Sequence, residues 1–257
     1  INNKISNVSS SSDGVQDAKD VANACLHFLQ NNNAITVEDK NSCVLPSSTG
    51  VIGWRLPTEK MIENLKLACS LKNIQNKSIL PAAKAIMTTD MFAKVRSVNI
   101  ELNNENYRLV GIAKGAGMVE PNMATMLVYL LTDAPIDQST LQKNLKHVVD
   151  KTFNCISIDS DMSTSDTIVA ISSNTSKAIK LDDHAKATFE DAMFKVCDRL
   201  CEDVVRNGEG VKHVIRVHVK ESISYKLANG IGKAIVNSPL FKAAINGNDP
   251  NVGRLLS

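Results

Sequence analysis

"VRSVNIELNNENYRLVGIAKGAGMVEPNMATMLVYLL", residues 95–131, decides how this chain folds. Its opening reads as a pair of strands. "VRSVNIEL" (95–102) alternates apolar and polar side chains, "YRLVGIA" (107–113) runs apolar, and the turn "NNEN" separates them. Such runs on either side of an asparagine-rich turn predict a β-hairpin. The apolar run 126–131 predicts a further, buried strand. Gly111 in the second of these runs, with Gly115 and Gly117 after it, permits φ > 0 or a close backbone approach, and Pro121 fixes a turn. Lys114 lies among the glycines, where an ammonium group is poorly covered unless an anion visits it. The special residues all lie on the approach to Thr125.

Outward from this stretch, helices and strands are mixed. Upstream, Val15, Ala18, Val21, Ala22, Cys25 and Leu29 share one helical face. "NNNAITVEDKN" reads as a loop. "SCVLPSSTGVIGWRLP" reads as a short strand leading into a tight loop, and Thr58 is placed to cap a helix carrying Met61, Ile62, Leu65, Ala68 and Cys69. Downstream, a helix is expected around Leu141, Leu145, Val148 and Val149, then a strand near Ile156–Ile158 and another at "TIVAISS". The longest helix spans 184–205, with Phe189, Met193, Val196, Cys197, Leu200 and Val204 at helical spacing. "HVIRVHVK" alternates like a strand, and 222–237 reads as helix. Hairpins among long helices argue for an α+β fold rather than strict βαβ alternation.

Composition narrows the function. At 257 residues and 43% hydrophobic, the chain can bury the core of one large domain or two modest ones. Its 29 basic and 27 acidic side chains nearly cancel and form no like-charge block, so neither a nucleic-acid nor a membrane-surface partner is expected. No apolar stretch reaches the roughly 20 residues that cross a bilayer, and "INNKISNVSSSSDG" lacks the layout of a signal peptide. Cys25, Cys43, Cys69, Cys155, Cys197 and Cys201 sit in apolar surroundings without metal-ligand spacing, so buried reduced thiols and no metal are expected. His27, His147, His184, His213 and His218 fit no catalytic pattern.

"KGAGMVEPNMATML" (114–127) resembles the processing site of the ornithine acetyltransferase family, also called glutamate N-acetyltransferases. Further blocks follow in the family's order: "STGVIG" (48–53), "IMTTDMF" (86–92), "TFNCISIDSDMSTSDT" (152–167), "RNGEG" (206–210) and "NSPLFKAAINGNDPNVGR" (237–254). The resemblance implies a layered αββα sandwich like that of N-terminal-nucleophile enzymes. It implies a precursor cut between Ala124 and Thr125 into parts 1–124 and 125–257, two of each associating as a heterotetramer. Thr125 is the implied nucleophile, with the Thr49 hydroxyl and the Gly50 backbone N–H as oxyanion donors. Thr88, Lys114, Thr125 and Glu209 are the implied substrate contacts. Thr125 would take the acetyl group of N-acetylornithine and pass it to glutamate in two ping-pong steps. No cofactor is implied, acetyl-CoA entering only in bifunctional members. The expected compartment is the cytoplasm, with the mitochondrial matrix as the alternative.

The chemistry is intelligible on its own terms. A threonine hydroxyl is a weak nucleophile and needs a base within hydrogen-bond reach. Cutting the preceding peptide bond gives the same residue an α-amine with an ordinary pKa of about 7.7–8.0, so it can serve as nucleophile and base together. A self-cleaving amidohydrolase or aminopeptidase with water as acceptor is the competing class, and an inactive remnant is the third.

The sequence also departs from the family's pattern. Ser160, Met162 and Ser165 replace a glycine, a threonine and an asparagine, and Val252 stands where tryptophan is usual. "NNKISN" replaces a glycine-bearing stretch, and the family's later segment, with an asparagine and a threonine for substrate, has no counterpart in these residues.

Overall fold

The predicted hairpin is the centre of the structure. The computed structural model describes residues 4–31, 44–70, 78–120, 126–173 and 181–257. Strand β1 (Lys94–Leu102) pairs antiparallel with β2 (Glu105–Lys114) from Lys94 opposite Ala113 to Leu102 opposite Glu105. The turn is tighter than the quoted "NNEN". Asn103 and Asn104 alone make it, at φ of 51° and 64°, the left-handed pair that a two-residue hairpin demands and asparagine tolerates. β2 pairs antiparallel with β3 (Leu127–Thr132), and β3 pairs parallel with β4 (Thr167–Ser172). Among the described residues this sheet, in the order β1-β2-β3-β4, is the one sheet present.

A parallel pair needs a long crossover, and helix α4 (Gln138–Lys151) lies in the connection from β3 to β4. The Asp137 side chain accepts the Thr140 N–H at 2.9 Å to cap it. Helix α5 (Asp183–Arg206), capped by Asp182 on the Ala185 N–H at 2.7 Å, crosses β1 and β2 and packs on α4. It buries Phe189, Met193, Val196, Cys197, Leu200 and Val204 against Ile100, Leu109, Ala113, Val128 and Leu130. Here the need for Gly111 is a close approach. A Cβ on it would stand 2.8 Å from both Leu200 Cδ1 and Val196 Cγ1. Arg96 of β1 holds Asp203 of α5 through paired bonds of 2.6 and 2.7 Å.

The chain divides into two compact units, Ile1–Thr88 and Thr89–Ser257. In the first, α1 (Gly14–Asn31) packs on α2 (Thr58–Ala68) through Val21, Met61, Leu65 and Cys69, and α3 (Leu80–Ala85) follows. In the second, α6 (Tyr225–Asn237), α7 (Pro239–Asn246) and α8 (Val252–Leu256) complete the described chain. The expected 1–124 and 125–257 parts are a covalent division that falls inside the second unit, between β2 and β3.

Several expectations are corrected. Thr58 begins α2 but does not cap it; Pro57 holds that position without a side-chain bond. Residues 44–50 form no strand, and Val51 makes an isolated bridge to Ile5. Ile156–Ile158 follows a 3₁₀ turn (Phe153–Cys155) and is too short for a ladder, sending the Ile158 N–H to Val119 O at 2.7 Å. "HVIRVHVK" forms no strand either: alternation says which side chains turn inward, not that a neighbouring strand exists. Cys155 is exposed, while Cys69, Cys197 and Cys201 are buried as expected. Cys43 and the loop 32–41 lie outside the described residues.

Candidate active site

The glycine-rich stretch leaves the end of β2 and is held from several directions. Gly115 donates its N–H to Asp90 Oδ1 at 2.8 Å, and the same oxygen takes Lys94 Nζ at 2.5 Å in an ion pair whose side chains are both fully buried. Asp159 receives the N–H groups of Met118 (2.5 Å) and Val119 (2.9 Å), the kind of carboxylate clamp that fixes a loop without regular structure. Glu209 donates its backbone N–H to Ala116 O at 2.7 Å. A Cβ on Gly117 would meet the Glu209 carboxyl at 2.9 Å, so this glycine too permits a close approach. Glu209 itself is exposed, its Oε1 taking the Thr89 hydroxyl at 2.6 Å. Asn207 is buried and accepts the N–H groups of Met91 and Phe92, at 3.0 and 3.2 Å, on one oxygen.

Lys114 is 1% exposed. Burial lowers its pKa to about 8, against the carboxylates of Asp90 and Asp166, which support the charge. Asp166, just ahead of β4, accepts the Met126 N–H at 2.7 Å. Burial raises it to about 7, while the Met126 N–H and Lys114 pull it down. Shifted acids and bases of this kind cluster at functional sites and also occur in structural ion-pair networks. Glu120 accepts Asn237 Nδ2 at 2.8 Å. The residues on either side of the 121–125 segment are therefore both anchored.

Lys114 and Glu209 are brought to the same short loop. Ala124 and Thr125, with Pro121, lie outside the described residues. Thr49 and Gly50 belong to the first unit, where Thr49 is 2% exposed. Gly50 has φ of 128°, and a Cβ there would stand 2.0 Å from Lys4 O, which accepts the Val51 N–H at 2.8 Å. Glycine is thus required by local packing as well as by any oxyanion role. Thr88 closes the first unit, and it is its neighbour Thr89 that bonds to Glu209. Sequence reasoning singled out none of Asp90, Asp159, Asp166 and Asn207, although all lie in quoted blocks. The available signal was an acid or amide set against an apolar run. Among the described residues no cluster of three or more His, Cys, Asp and Glu is gathered as a metal would need. No helix among them is long and apolar enough to cross a membrane.

Compared with protein families, the sequence matches the ArgJ family across residues 1–257. The chain belongs to the ArgJ family. The resemblance carried by "KGAGMVEPNMATML" is thereby borne out at the level of the family. It is similar to the arginine biosynthesis bifunctional protein ArgJ, mitochondrial, of Lodderomyces elongisporus: 38% identical over 262 residues, covering 100% of this chain and 58% of that protein. To the arginine biosynthesis bifunctional protein ArgJ of Colwellia psychrerythraea it is 40% identical over 247 residues, covering 95% of this chain and 57% of the relative. The chain thus spans less than three-fifths of the length of these ArgJ proteins. A crystal structure of arginine biosynthesis bifunctional protein ArgJ from Bacillus halodurans is 36% identical, covering 48% of this chain and 59% of that one, at a TM-score of 0.46.

Proposed function

We propose that this chain carries the core of an acetyltransferase that moves an acetyl group from N-acetylornithine to glutamate. It cuts itself between Ala124 and Thr125, and the freed Thr125 then acts as nucleophile, with its own α-amine as base. The acyl-threonine forms as ornithine leaves, and the glutamate amine takes the acetyl group from it. Thr49 and Gly50 supply the oxyanion donors, a single one of which is typically worth about 2.7–4 kcal/mol. Lys114 pairs with the substrate carboxylate and Glu209 with its ammonium group, both charge-assisted contacts.

The observation that carries this reading is the anchoring of both neighbours of the 121–125 segment. Glu120 is tied by Asn237, and Met126 by Asp166. Lys114, buried at the end of β2, and Glu209, exposed and held by the Thr89 hydroxyl, lie on either side of the loop leading to that segment. The αββα sandwich, the pairing of two 1–124 with two 125–257 pieces, and a cytoplasmic or mitochondrial-matrix location belong to the same proposal. The route needs no cofactor; acetyl-CoA enters only if the protein is also bifunctional.

Intact mass of the purified protein, followed by acetyl exchange between N-acetylornithine and glutamate, tests it. Pieces ending at Ala124 and beginning at Thr125, with glutamate-dependent turnover, are expected. Thr125→Ala should abolish both. Turnover by an uncut chain would refute the mechanism, and hydrolysis indifferent to glutamate would point to an amidohydrolase.

A further inference from the structure

Thr89 and Glu209 are both exposed, and each sits in a stretch without helix or strand, yet their side chains meet at 2.6 Å. Two loops hold such a contact only where something rigid fixes their spacing. Asn207 has that place. It is 1% exposed and caps the end of α5, its N–H reaching Asp203 O at 3.1 Å and Val204 O at 3.2 Å. The same turn of α5 is tied to β1, through the paired bonds of Asp203 to Arg96. From this anchored point the Asn207 Oδ1 accepts the N–H groups of Met91 and Phe92, at 3.0 and 3.2 Å.

The two loops are thus laced together by side chains. Thr89 meets Glu209, and two residues along each loop Met91 meets Asn207. Glu209 is held a third way, by its N–H on Ala116 O at 2.7 Å. The other end of the Asn207 amide is spent on nothing: Nδ2 is buried with no hydrogen-bond partner. An unpaired buried donor costs stability, so stability alone does not account for an amide here. What it supplies is one oxygen, aimed at two successive N–H groups.

We infer that Asn207 is a positioning residue for substrate selection: it fixes the 89–92 segment to the end of α5, so that Thr89 holds the Glu209 carboxylate where a substrate ammonium group arrives. This rests on the proposed pairing of Glu209 with that ammonium group and adds what sets its place. Asn207 acts through Thr89 and Glu209, being itself buried. A site carried on a helix is placed more precisely than one left to loops, and a misplacement of about 1 Å can cost as much as ~100-fold in rate. The consequence is a specificity. N-acetylornithine carries its positive charge on the side chain, because its α-nitrogen is an amide. N-acetylnorvaline lacks that ammonium group and is otherwise the same acetyl donor.

The test is kcat/KM of the full chain for these two donors, with glutamate as the common acceptor. In a two-step transfer this quantity reports the donor half alone. The wild type should prefer N-acetylornithine. Asn207→Leu, of similar size but without an acceptor, should cut that preference at least ~10-fold. A general loss of folded enzyme lowers both rates alike and leaves their ratio unchanged. An unchanged ratio in Asn207→Leu therefore overturns the role of Asn207 and leaves the function reading standing. A wild type that turns over both donors equally removes the ammonium role of Glu209 and this inference with it, and one that transfers no acetyl group overturns the function reading as well. Should Asn207→Leu fail to fold, Asn207→Ala and Thr89→Val are read by the same ratio: each must lose the preference, and either one keeping it rejects the proposal.

Discussion

Replacing Asp90 by asparagine should destabilise the second unit, and adding Lys94→Met should restore most of the loss. Asp90 and Lys94 are both fully buried, 2.5 Å apart, and the same Asp90 oxygen also holds the Gly115 N–H at 2.8 Å. Asparagine keeps an acceptor for Gly115 but removes the charge, leaving the Lys94 ammonium uncompensated in the core. Breaking a buried pair in this way costs about 3–5 kcal/mol. The Phe92 ring, 5.1 Å from Lys94 Nζ, offers roughly 2 kcal/mol at best and cannot make up the difference. Lys94→Met fills similar volume without charge, so the double variant should lie within about 1.5 kcal/mol of wild type. Urea denaturation followed by far-UV circular dichroism measures both, and the single change should lower Tm by about 6–20 °C at ~2–4 °C per kcal/mol. A single variant losing less than ~1 kcal/mol, or a double no better than the single, would refute the reasoning. The same substitution should depress Lys114 further, because Asp90 supports its charge.

Gly111→Ala should cost about 1–3 kcal/mol by overpacking, since its new methyl would press on Val196 and Leu200 of α5; chemical denaturation reads it directly. Thr89→Val should raise KM for the amino-acid substrates without changing the denaturation midpoint, because it frees the Glu209 carboxylate; Thr88→Val with the larger KM effect would return the role to Thr88. For pH, burial holds the folded pKa of Asp166 at about 7, above the ordinary carboxylate value of 3.8, so the folded state binds more protons between those values. Its contribution is present below about 3.8 and is lost as pH rises towards 7, by on the order of 2 kcal/mol once solvent screening of this part-exposed group is discounted. Asp166→Asn should therefore gain stability relative to wild type across that window, measured as a difference between the two unfolding curves. Lys114 has its folded value lowered from 10.5 to about 8, so its penalty is full below 8 and fades as pH rises towards 10.5.

The hairpin and the long helix were legible because both are local: Asn103 and Asn104 select the turn, and the spacing from Phe189 to Val204 sets one buried face. "HVIRVHVK" misled because it has the period of a strand but no partner in the described sheet. The loop carboxylates were missed for a different reason. Asp166 meets the Met126 N–H and Asp159 meets Met118 across about forty residues, and Asn207 reaches Met91 across 116. Sequence spacing carries no trace of such distances. The family resemblance located the stretches that matter, but not the acids that hold them. Gly111 and Gly117 were read correctly as special positions, while the choice between a left-handed backbone and a close approach needed α5 and Glu209 in place.

The ladder from Leu109 opposite Thr132 to Lys114 opposite Leu127 joins β2 to β3 across the bond proposed to break. After that scission each fragment would own half of one sheet, and α5, from the later fragment, would still grip the earlier one at Gly111 and Arg96. The nicked molecule would stay assembled, yet its unravelled form would be two polymers free to diffuse apart. Reassembly would become second order, so dilution alone would weaken it, and scission would act as a one-way ratchet on the life of the native particle.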